Sequence, residues 1–209
     1  MSTYADLFAA SAPTRMVPVM VIESPDQALP MAKAFSNAGL NLLEITFRTA
    51  HGPEAIKSIK QAYPDLKVGA GTVLSDTHIR QALDAGSDFI VTPGTTPDLL
   101  KALAELQTPV FPGVATVSEA MTAYELGFAH QKFFPAEAAG GVTTLKSLHA
   151  PLPDLTFMPT GGITRKNASS YLELKNVACI GGSWMIDKAS LNAGDWDRFE
   201  AEIKKRTAL

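Results

Sequence analysis

Cysteine is almost absent from this sequence of 209 residues, and histidine is sparse. The single cysteine, Cys179, excludes an internal disulfide and lies in an apolar segment, which is typical of a core residue in a reducing compartment. The four histidines are scattered, and none has a partner at the spacing of metal ligands. We therefore predict a cytoplasmic protein with no metal and no cofactor.

Long hydrophobic runs and basic clusters are also lacking. No segment reaches the roughly 20 apolar residues that a membrane-spanning helix needs, and no apolar run follows a charged N-terminal flank. The formal net charge is −3. The basic run 204–206 lies beside Glu200 and Glu202, which indicates a solvated helix end and not a phosphate-binding patch. We expect neither a membrane nor a nucleic acid as a partner.

The sequence does contain a regular alternation of short apolar runs with helix-like segments. Eight runs predict strands: Val17–Ile22, Leu42–Phe47, Lys67–Ala70, Phe89–Thr92, Val110–Pro112, Gln131–Phe134, Thr156–Pro159 and Cys179–Gly181. Such βαβ units predict an α/β protein in which residues 1–209 form one domain, a single (β/α)8 TIM barrel. An open doubly wound sheet is the alternative. Residues 2–13 predict an extra N-terminal helix, and the residues from Asp195 predict a final helix.

The second predicted strand carries three polar residues on one face. Because side chains alternate along a strand, Glu44, Thr46 and Arg48 share that face. The opposite face is apolar and must meet the helices, so these three side chains are expected to point into the mouth of the barrel. One interpretation is a structural ion pair between Glu44 and Arg48. The other is a carboxylate that serves as a general acid or base.

The sixth predicted strand places a lysine between apolar neighbours, in the segment His130–Pro135. By the same alternation, Lys132 and Phe134 face the interior and Phe133 faces the helices. Burial disfavours an ammonium, and a neutral lysine is the nucleophile of Schiff-base chemistry with carbonyl substrates. The alternative is a lysine that extends its charged end to water. A buried Lys132 would converge with Glu44 at one mouth.

Other candidate residues follow the strands at their carboxyl ends, where barrels carry their active sites. Thr72 ends the third strand and is either a substrate ligand beside Arg48 or a helix N-cap. Two glycine pairs follow the last two strands, in Thr160–Gly161–Gly162 and in Gly181–Gly182–Ser183. Either pair alone is an ordinary turn signal, but together they match the position at which barrels bind phosphate.

Together, these segments resemble the KDPG/KHG aldolases, which are class I aldolases acting on 2-keto-3-deoxy-6-phosphogluconate (KDPG) and 4-hydroxy-2-oxoglutarate (KHG). Gly39–Arg48 is similar to the active-site signature of that family, and Gly127–Gly140 is similar to its Schiff-base signature. Thr160–Ile163 and Cys179–Trp184 add to a resemblance that spans nearly the whole chain. One departure is Gln131, at a position that the family fills with an apolar residue. By alternation Gln131 faces the helices, so we expect it to affect packing more than catalysis.

The resemblance implies a role for each candidate residue. Lys132 would form the imine with the C2 carbonyl of the substrate, and Glu44 would act as the general base. Arg48 and Thr72 would hold the pyruvyl carboxylate. The remaining substrate-binding residues would be Pro93, Phe134, Thr160, Gly161, Gly162, Gly182 and Ser183.

The implied reaction is cleavage of KDPG to pyruvate and glyceraldehyde 3-phosphate, with cleavage of KHG to pyruvate and glyoxylate as a second activity. One alternative is a preference for 2-keto-3-deoxy-6-phosphogalactonate, which differs from KDPG in its C4 configuration. Another is a phosphate-binding barrel that works as an epimerase or a sensor. The resemblance also implies a homotrimer whose ligand is a small phosphorylated keto acid. The roles of Arg15 and His51 stay open, with loop or surface positions as the expectation.

Overall fold

The structure, a computed structural model, describes residues 2–209. The strands are β1 (Met16–Met20), β2 (Leu42–Thr46), β3 (Lys67–Gly71), β4 (Phe89–Val91), β5 (Val110–Phe111), β6 (Gly113–Val114), β7 (His130–Phe133), β8 (Thr156–Pro159) and β9 (Ile180–Gly182). The helices are α1 (Tyr4–Ser11), α2 (Ala28–Asn37), α3 (Gly52–Ala62), α4 (Asp76–Asp84), α5 (Pro97–Ala104), α6 (Val117–Glu125), α7 (Gly141–Leu148), α8 (Ala168–Leu172), α9 (Lys188–Ala193) and α10 (Trp196–Thr207), with a 3-10 turn at Pro25–Gln27. Strands and helices alternate along the chain, which confirms the predicted α/β class.

The strands form two parallel sheets in place of a single eight-stranded ladder. Six strands lie in the order β5-β4-β3-β2-β1-β9, in a sheet that curls like half of a barrel, and three lie in the order β6-β7-β8. The predicted fifth strand, Val110–Pro112, is observed as β5, and the additional strand β6 follows directly after Pro112. Proline has no amide hydrogen with which to continue the ladder, so the pairing stops there and resumes one residue later.

The two sheets approach each other at both edges. Isolated parallel bridges join Phe157 to Val177 and Thr160 to Gly181, and so connect β8 with β9 and the segment before it. At the other edge, β5 and β6 are consecutive in the chain, and the Pro112 carbonyl accepts a hydrogen bond from the Lys132 amide at 2.9 Å. The carboxyl ends of strands from both sheets therefore meet on one side of the protein.

Side chains of the strands divide between an interior cluster and a cluster beneath the helices. The interior cluster includes Val17, Leu42, Phe89, Val91, Phe111, Met158 and Cys179. Leu43 and Ile45 belong instead to the cluster that contains residues of α2 and α3. Since Leu42 is an interior residue, alternation also places Glu44 and Thr46 inside, as predicted.

The predicted N-terminal helix is confirmed as α1, which adds to the interior cluster. Thr3 caps this helix by accepting a hydrogen bond from the Asp6 amide, and the Asp6 carboxylate accepts one from the Thr3 amide in return. Leu7 joins the interior cluster. The Tyr4 hydroxyl donates to the Val110 carbonyl at 2.7 Å, which ties the helix to β5. The predicted final helix is also confirmed, as α10.

Gln131 faces the helices, as the alternation predicts. It is fully buried, and its Nε2 donates to the carbonyls of Ala120 at 2.9 Å and Phe128 at 2.8 Å. The polar side chain thus satisfies two carbonyls at α6 and the loop after it, away from the interior.

Arg15 and His51 both lie outside the strands, and the contacts of Arg15 are structural. Arg15 precedes β1, at the end opposite to the βα loops, and its guanidinium donates to the carbonyls of Leu172, Val177 and Ala178. It thereby holds the segment that leads into β9. His51 precedes α3, and its side chain makes no capping hydrogen bond.

Within residues 2–209, no helix has the length and apolar character needed to cross a membrane.

Candidate active site

Glu44 and Lys132 are 88 residues apart in the sequence and form an ion pair inside the protein. Lys132 Nζ lies 3.2 Å from Glu44 Oε1, and the two side chains are 5% and 0% exposed, respectively. The interpretation of Lys132 as a lysine extended to water is therefore wrong. A buried ion pair is an expensive way to stabilise a fold. An amine beside a carboxylate is, however, the arrangement that Schiff-base and proton-transfer chemistry needs.

The space around the Glu44 carboxylate is set by Gly71 on the adjacent strand β3. A Cβ atom at Gly71 would lie 2.2 Å from Glu44 Oε1, so any larger residue there would displace the carboxylate. The other oxygen, Oε2, is buried and has no hydrogen-bond partner among residues 2–209. Leaving a buried carboxylate oxygen without a donor costs free energy. This oxygen is thus the free acceptor of the pair.

Cys179 lies in the same interior and is a core residue, as predicted. Burial raises the pKa of its thiol to about 12, while Arg15 lowers this pKa and Glu44 raises it by smaller amounts. The thiol therefore stays protonated at neutral pH and is a poor nucleophile.

In the part of the chain that the structure describes, no group of three or more His, Cys, Asp or Glu side chains is arranged to hold a metal ion.

A cavity of about 500 Å³ opens beside this pair, where β1, β8 and β9 end. It is lined by seven of the predicted substrate-binding residues: Arg48, Phe134, Thr160, Gly161, Gly162, Gly182 and Ser183. Phe134 connects the cavity to the ion pair, because its ring centroid lies 5.3 Å from Lys132 Nζ. Lys132 and Glu44 themselves are buried and are not among the lining residues.

Thr72 and Pro93 do not line this cavity. Thr72 follows β3 directly, and its φ of +57° lies in the left-handed region, which is strained for a β-branched residue. The N-cap of α4 is Ser75, whose hydroxyl accepts from the His78 amide, so the N-cap interpretation of Thr72 is wrong. Pro93 lies against Gly113, where a Cβ atom would be 2.3 Å from the Pro93 carbonyl carbon.

Arg48 lines the cavity and does not pair with Glu44. Its side chain is exposed, and no carboxylate of residues 2–209 lies within 4.0 Å of it. The interpretation of Glu44 and Arg48 as a structural ion pair is therefore wrong. A guanidinium that is left unpaired at the edge of a cavity is suited to bind a carboxylate through two parallel hydrogen bonds.

The Gly161–Gly162 loop lines the cavity and has a free backbone amide at Gly162. The φ values of the two glycines are +101° and +77°, in the region that other residues rarely adopt. The Gly161 carbonyl accepts from the Glu137 amide at 3.1 Å, and the Gly162 carbonyl accepts from Asn167 Nδ2 at 3.3 Å. Within the described residues, the amides of Gly162 and Ser183 donate no hydrogen bond, whereas the Gly161 amide lies at the Thr160–Gly181 bridge. Free amides of this kind bind anions.

Several residues that line the cavity were not indicated by the sequence patterns. They are Val19, Val21, Glu23, Gln27, Ile163, Ile186, Lys188, Leu191 and Asn192. The last three belong to α9, a helix of only six residues that the alternation pattern does not reveal. Its N-cap, Asp187, was the available signal. Lys188 adds a second cation to the lining, with no carboxylate of residues 2–209 within 4.0 Å.

Comparison with known proteins identifies relatives over most of the chain. The family model described as KDPG and KHG aldolase matches residues 10–202. The 2-dehydro-3-deoxy-phosphogluconate aldolase of Pseudomonas aeruginosa is 46% identical over 89% of this chain and 84% of its own length. The KHG/KDPG aldolase of Escherichia coli is 45% identical over 88% of this chain and 86% of its own length.

A solved structure agrees with these relatives. The crystal structure of KDPG aldolase from Legionella pneumophila, with pyruvate captured at low pH as a covalent carbinolamine intermediate, is 38% identical and superposes with a TM-score of 0.92. The match covers 98% of this chain and 98% of that one. The resemblance found in the sequence motifs is thus supported along the whole fold, and the chain belongs to the KDPG and KHG aldolase family.

Proposed function

We propose that this protein is a class I aldolase that cleaves KDPG to pyruvate and glyceraldehyde 3-phosphate through an imine on Lys132. The observation that carries this proposal is the buried pair of Lys132 and Glu44, 3.2 Å apart and next to the cavity. Lys132 is the one buried lysine among residues 2–209. Cleavage of KHG to pyruvate and glyoxylate uses the same groups and is proposed as a second activity.

The reaction begins when Lys132 Nζ attacks the C2 carbonyl and the carbinolamine loses water to give the imine. Glu44 then takes the proton of the C4 hydroxyl, either directly or through a water molecule, as the C3–C4 bond breaks. The electrons of that bond move into the iminium, so the aldehyde leaves and an enamine of pyruvate remains on the lysine. Glu44 returns the proton to C3, and hydrolysis of the imine releases pyruvate and the free amine.

The cavity supports a separate role at each end of the substrate. Arg48 is proposed to bind the pyruvyl carboxylate, together with Thr72, which follows the strand beside Glu44. Pro93 and Phe134 are proposed to form the wall against which the carbon chain lies. The distal phosphate is assigned to the residues with free amides, hydroxyl groups or a glycine backbone: Thr160, Gly161, Gly162, Gly182 and Ser183.

The phosphate end favours a phosphorylated substrate. The free amides of Gly162 and Ser183 and the exposed cation Lys188 give this end of the cavity donors and positive charge, opposed by Glu23 alone among the lining carboxylates. A phosphate dianion uses such donors better than the C5 carboxylate of KHG. The names of the relatives favour KDPG over its phosphogalactonate epimer, which remains the alternative substrate.

Assembly and closure of the sheets complete the proposal. The strand contacts at both edges support a closed (β/α)8 barrel of one domain, in which Pro112 interrupts one ladder.

A homotrimer is proposed from the resemblance, and α6 supports self-association. Its residues Val117, Met121 and Tyr124 are 45%, 47% and 42% exposed and lie four and three residues apart, on one helix face. The buried free thiol of Cys179 is compatible with the proposed cytoplasmic location.

Trapping with pyruvate and borohydride tests the proposed function. We expect intact-mass spectrometry to show one reduced pyruvyl adduct, and peptide mapping to place it on Lys132. Borohydride without pyruvate is the control and is expected to leave the mass unchanged. A protein that binds pyruvate but forms no adduct would contradict the aldolase mechanism and favour the epimerase or sensor.

Ser183→Ala tests the phosphate end. Because the hydroxyl would donate to a charged phosphate, its removal is expected to lower kcat/KM for KDPG roughly tenfold, with a much smaller change for KHG, which has no phosphate. Coupled assays of pyruvate release with both substrates measure this ratio. Ser170→Ala, on the exposed face of α8, is the matched control and is expected to change neither value. Equal losses for both substrates would remove Ser183 from the phosphate site.

A further inference from the structure

Glu137 and Tyr171 form a contact outside the cavity that the proposed reaction does not use. Glu137 lies five residues after Lys132, in the loop that follows β7. Its Oε1 accepts a hydrogen bond from the hydroxyl of Tyr171 on α8. Tyr171 is fully buried, so this phenol occupies a fixed position in the packing of the protein.

The Glu137 side chain lies directly against the Gly161–Gly162 loop. A Cβ atom at Gly162 would be 2.6 Å from both Cβ and Cγ of Glu137, so the side chain fills the space behind that glycine. The Glu137 amide also donates to the Gly161 carbonyl at 3.1 Å. Backbone and side chain of one residue therefore support both glycines of the loop.

A second contact reaches the loop from the start of α8. Asn167 precedes this helix, and its Nδ2 donates to the Gly162 carbonyl at 3.3 Å. The Asn167 Oδ1 accepts from the Thr164 amide at 2.7 Å, which fixes the orientation of the side-chain amide. Both loop carbonyls are thus bound by Glu137 and Asn167, while the Gly162 amide stays free for an anion.

Position matters for this carboxylate because it carries a negative charge beside an anion site. A mobile carboxylate at this place would repel a phosphate and compete with it for the free amide of the loop. The Tyr171 hydroxyl removes that freedom by donating to Glu137. Burial, followed by the Glu137 hydrogen bond, raises the pKa of Tyr171, so the phenol remains a donor at neutral and moderately alkaline pH.

We propose that Tyr171, acting through Glu137, is a positioning residue that holds the Gly161–Gly162 loop in its anion-binding conformation and so sets the preference for phosphorylated keto acids. The inference rests on the proposed function, because it assigns the loop to the distal phosphate of the substrate. It means that two residues outside the cavity lining, Glu137 and Tyr171, help to determine substrate specificity. Neither residue takes part in the steps at Lys132.

Tyr171→Phe tests this inference by removing one hydroxyl and keeping the ring. We expect KM for KDPG to rise roughly five- to twentyfold, with kcat changed less than about twofold. This is at or below the low end for one hydrogen bond to a charged group, because the lost bond acts on the loop and not directly on the substrate. KM for KHG is expected to stay within about twofold of the wild-type value. Tyr63→Phe is the matched control, because Tyr63 lies between α3 and β3, at the end of the strands opposite to the cavity, and its hydroxyl makes no hydrogen bond within residues 2–209. It is expected to leave all four constants unchanged.

Glu137→Ala is a second variant, and it leaves the buried ring of Tyr171 unchanged. It is expected to raise KM for KDPG selectively, because the loop loses its support. In the double variant, Tyr171→Phe is expected to add little, since the two residues act through one contact. Effects that add, or that fall equally on KHG, would show that the pair has only a structural role and would overturn the inference. Pyruvate trapping on the wild-type protein tests the aldolase itself, so the two failures are distinguishable.

Discussion

Lys132→Ala is expected to abolish aldol cleavage. The substitution removes the nucleophile that forms the imine, and losing a covalent nucleophile lowers turnover by roughly five orders of magnitude or more. Coupled measurement of pyruvate release from KDPG would detect the loss, and pyruvate with borohydride would produce no adduct. Substantial residual cleavage in a carefully purified variant would remove Lys132 from its role.

The same substitution has a cost in stability, which must be separated from the loss of chemistry. Lys132 is the hydrogen-bond partner of Glu44, which is fully buried, so alanine at 132 leaves a carboxylate without its counter-charge. Removing one member of a buried pair costs about 3–5 kcal/mol. Urea denaturation should show this loss, and Lys132→Ala with Glu44→Gln should recover much of it, because no buried charge then remains. The double variant should still be inactive.

Lys132→Arg distinguishes nucleophilic from electrostatic roles. Arginine keeps a positive charge near Glu44, but its guanidinium stays protonated and cannot attack a carbonyl. An aldolase that depends on the imine is expected to lose activity with arginine as completely as with alanine. An epimerase that used Lys132 only for its charge would retain measurable activity.

The orientation of the site residues could be predicted because strand alternation is a local property. Leu42 and Leu43 lie on opposite faces of β2, and this places Glu44 inside without any knowledge of the partner strands. The same rule places Lys132 inside and Gln131 outside. The pairing of Glu44 with Lys132 depended on the further assumption that β2 and β7 face one interior, which holds in the structure.

Other features depend on contacts that no local pattern encodes. Glu44 is buried beside Lys132, 88 residues away, while Arg48 is exposed beyond the end of β2, so the two do not pair. The support of the glycine loop by Glu137 and Tyr171 joins residues 34 positions apart. The helix α9 was missed because six residues give too little periodicity, although Lys188 within it lines the cavity.

The interruption at Pro112 shows what the sequence cannot predict about strand pairing. The predicted strand consists of two apolar residues, Val110 and Phe111, followed by Pro112. The missing amide hydrogen of the proline was a visible signal for an interruption. The consequence, two sheets instead of one continuous ladder, depends on how the neighbouring strands pair and could not be predicted from that segment alone.

Glu44→Gln is expected to separate imine formation from carbon–carbon cleavage. Glutamine has nearly the same size, so it fits the space that Gly71 leaves beside the carboxylate. Its amide cannot take the C4 hydroxyl proton, and removal of a general base lowers turnover by roughly two to four orders of magnitude. Because Lys132 is retained, pyruvate should still be trapped on it by borohydride. The expected phenotype is therefore an intact adduct with slow release of pyruvate from KDPG.

Glu44→Asp is the control for position. It keeps the carboxylate but shortens the side chain by one carbon, which moves the carboxylate away from Lys132 Nζ; in the wild-type protein the two are 3.2 Å apart. Its turnover is expected to lie between those of the wild-type protein and Glu44→Gln. Wild-type turnover in Glu44→Gln would show that another group is the base. Loss of the adduct in that variant would show instead that Glu44 acts earlier, in forming the imine. The unpartnered Oε2 favours the later step, because this oxygen is free to take a proton while Oε1 holds the amine.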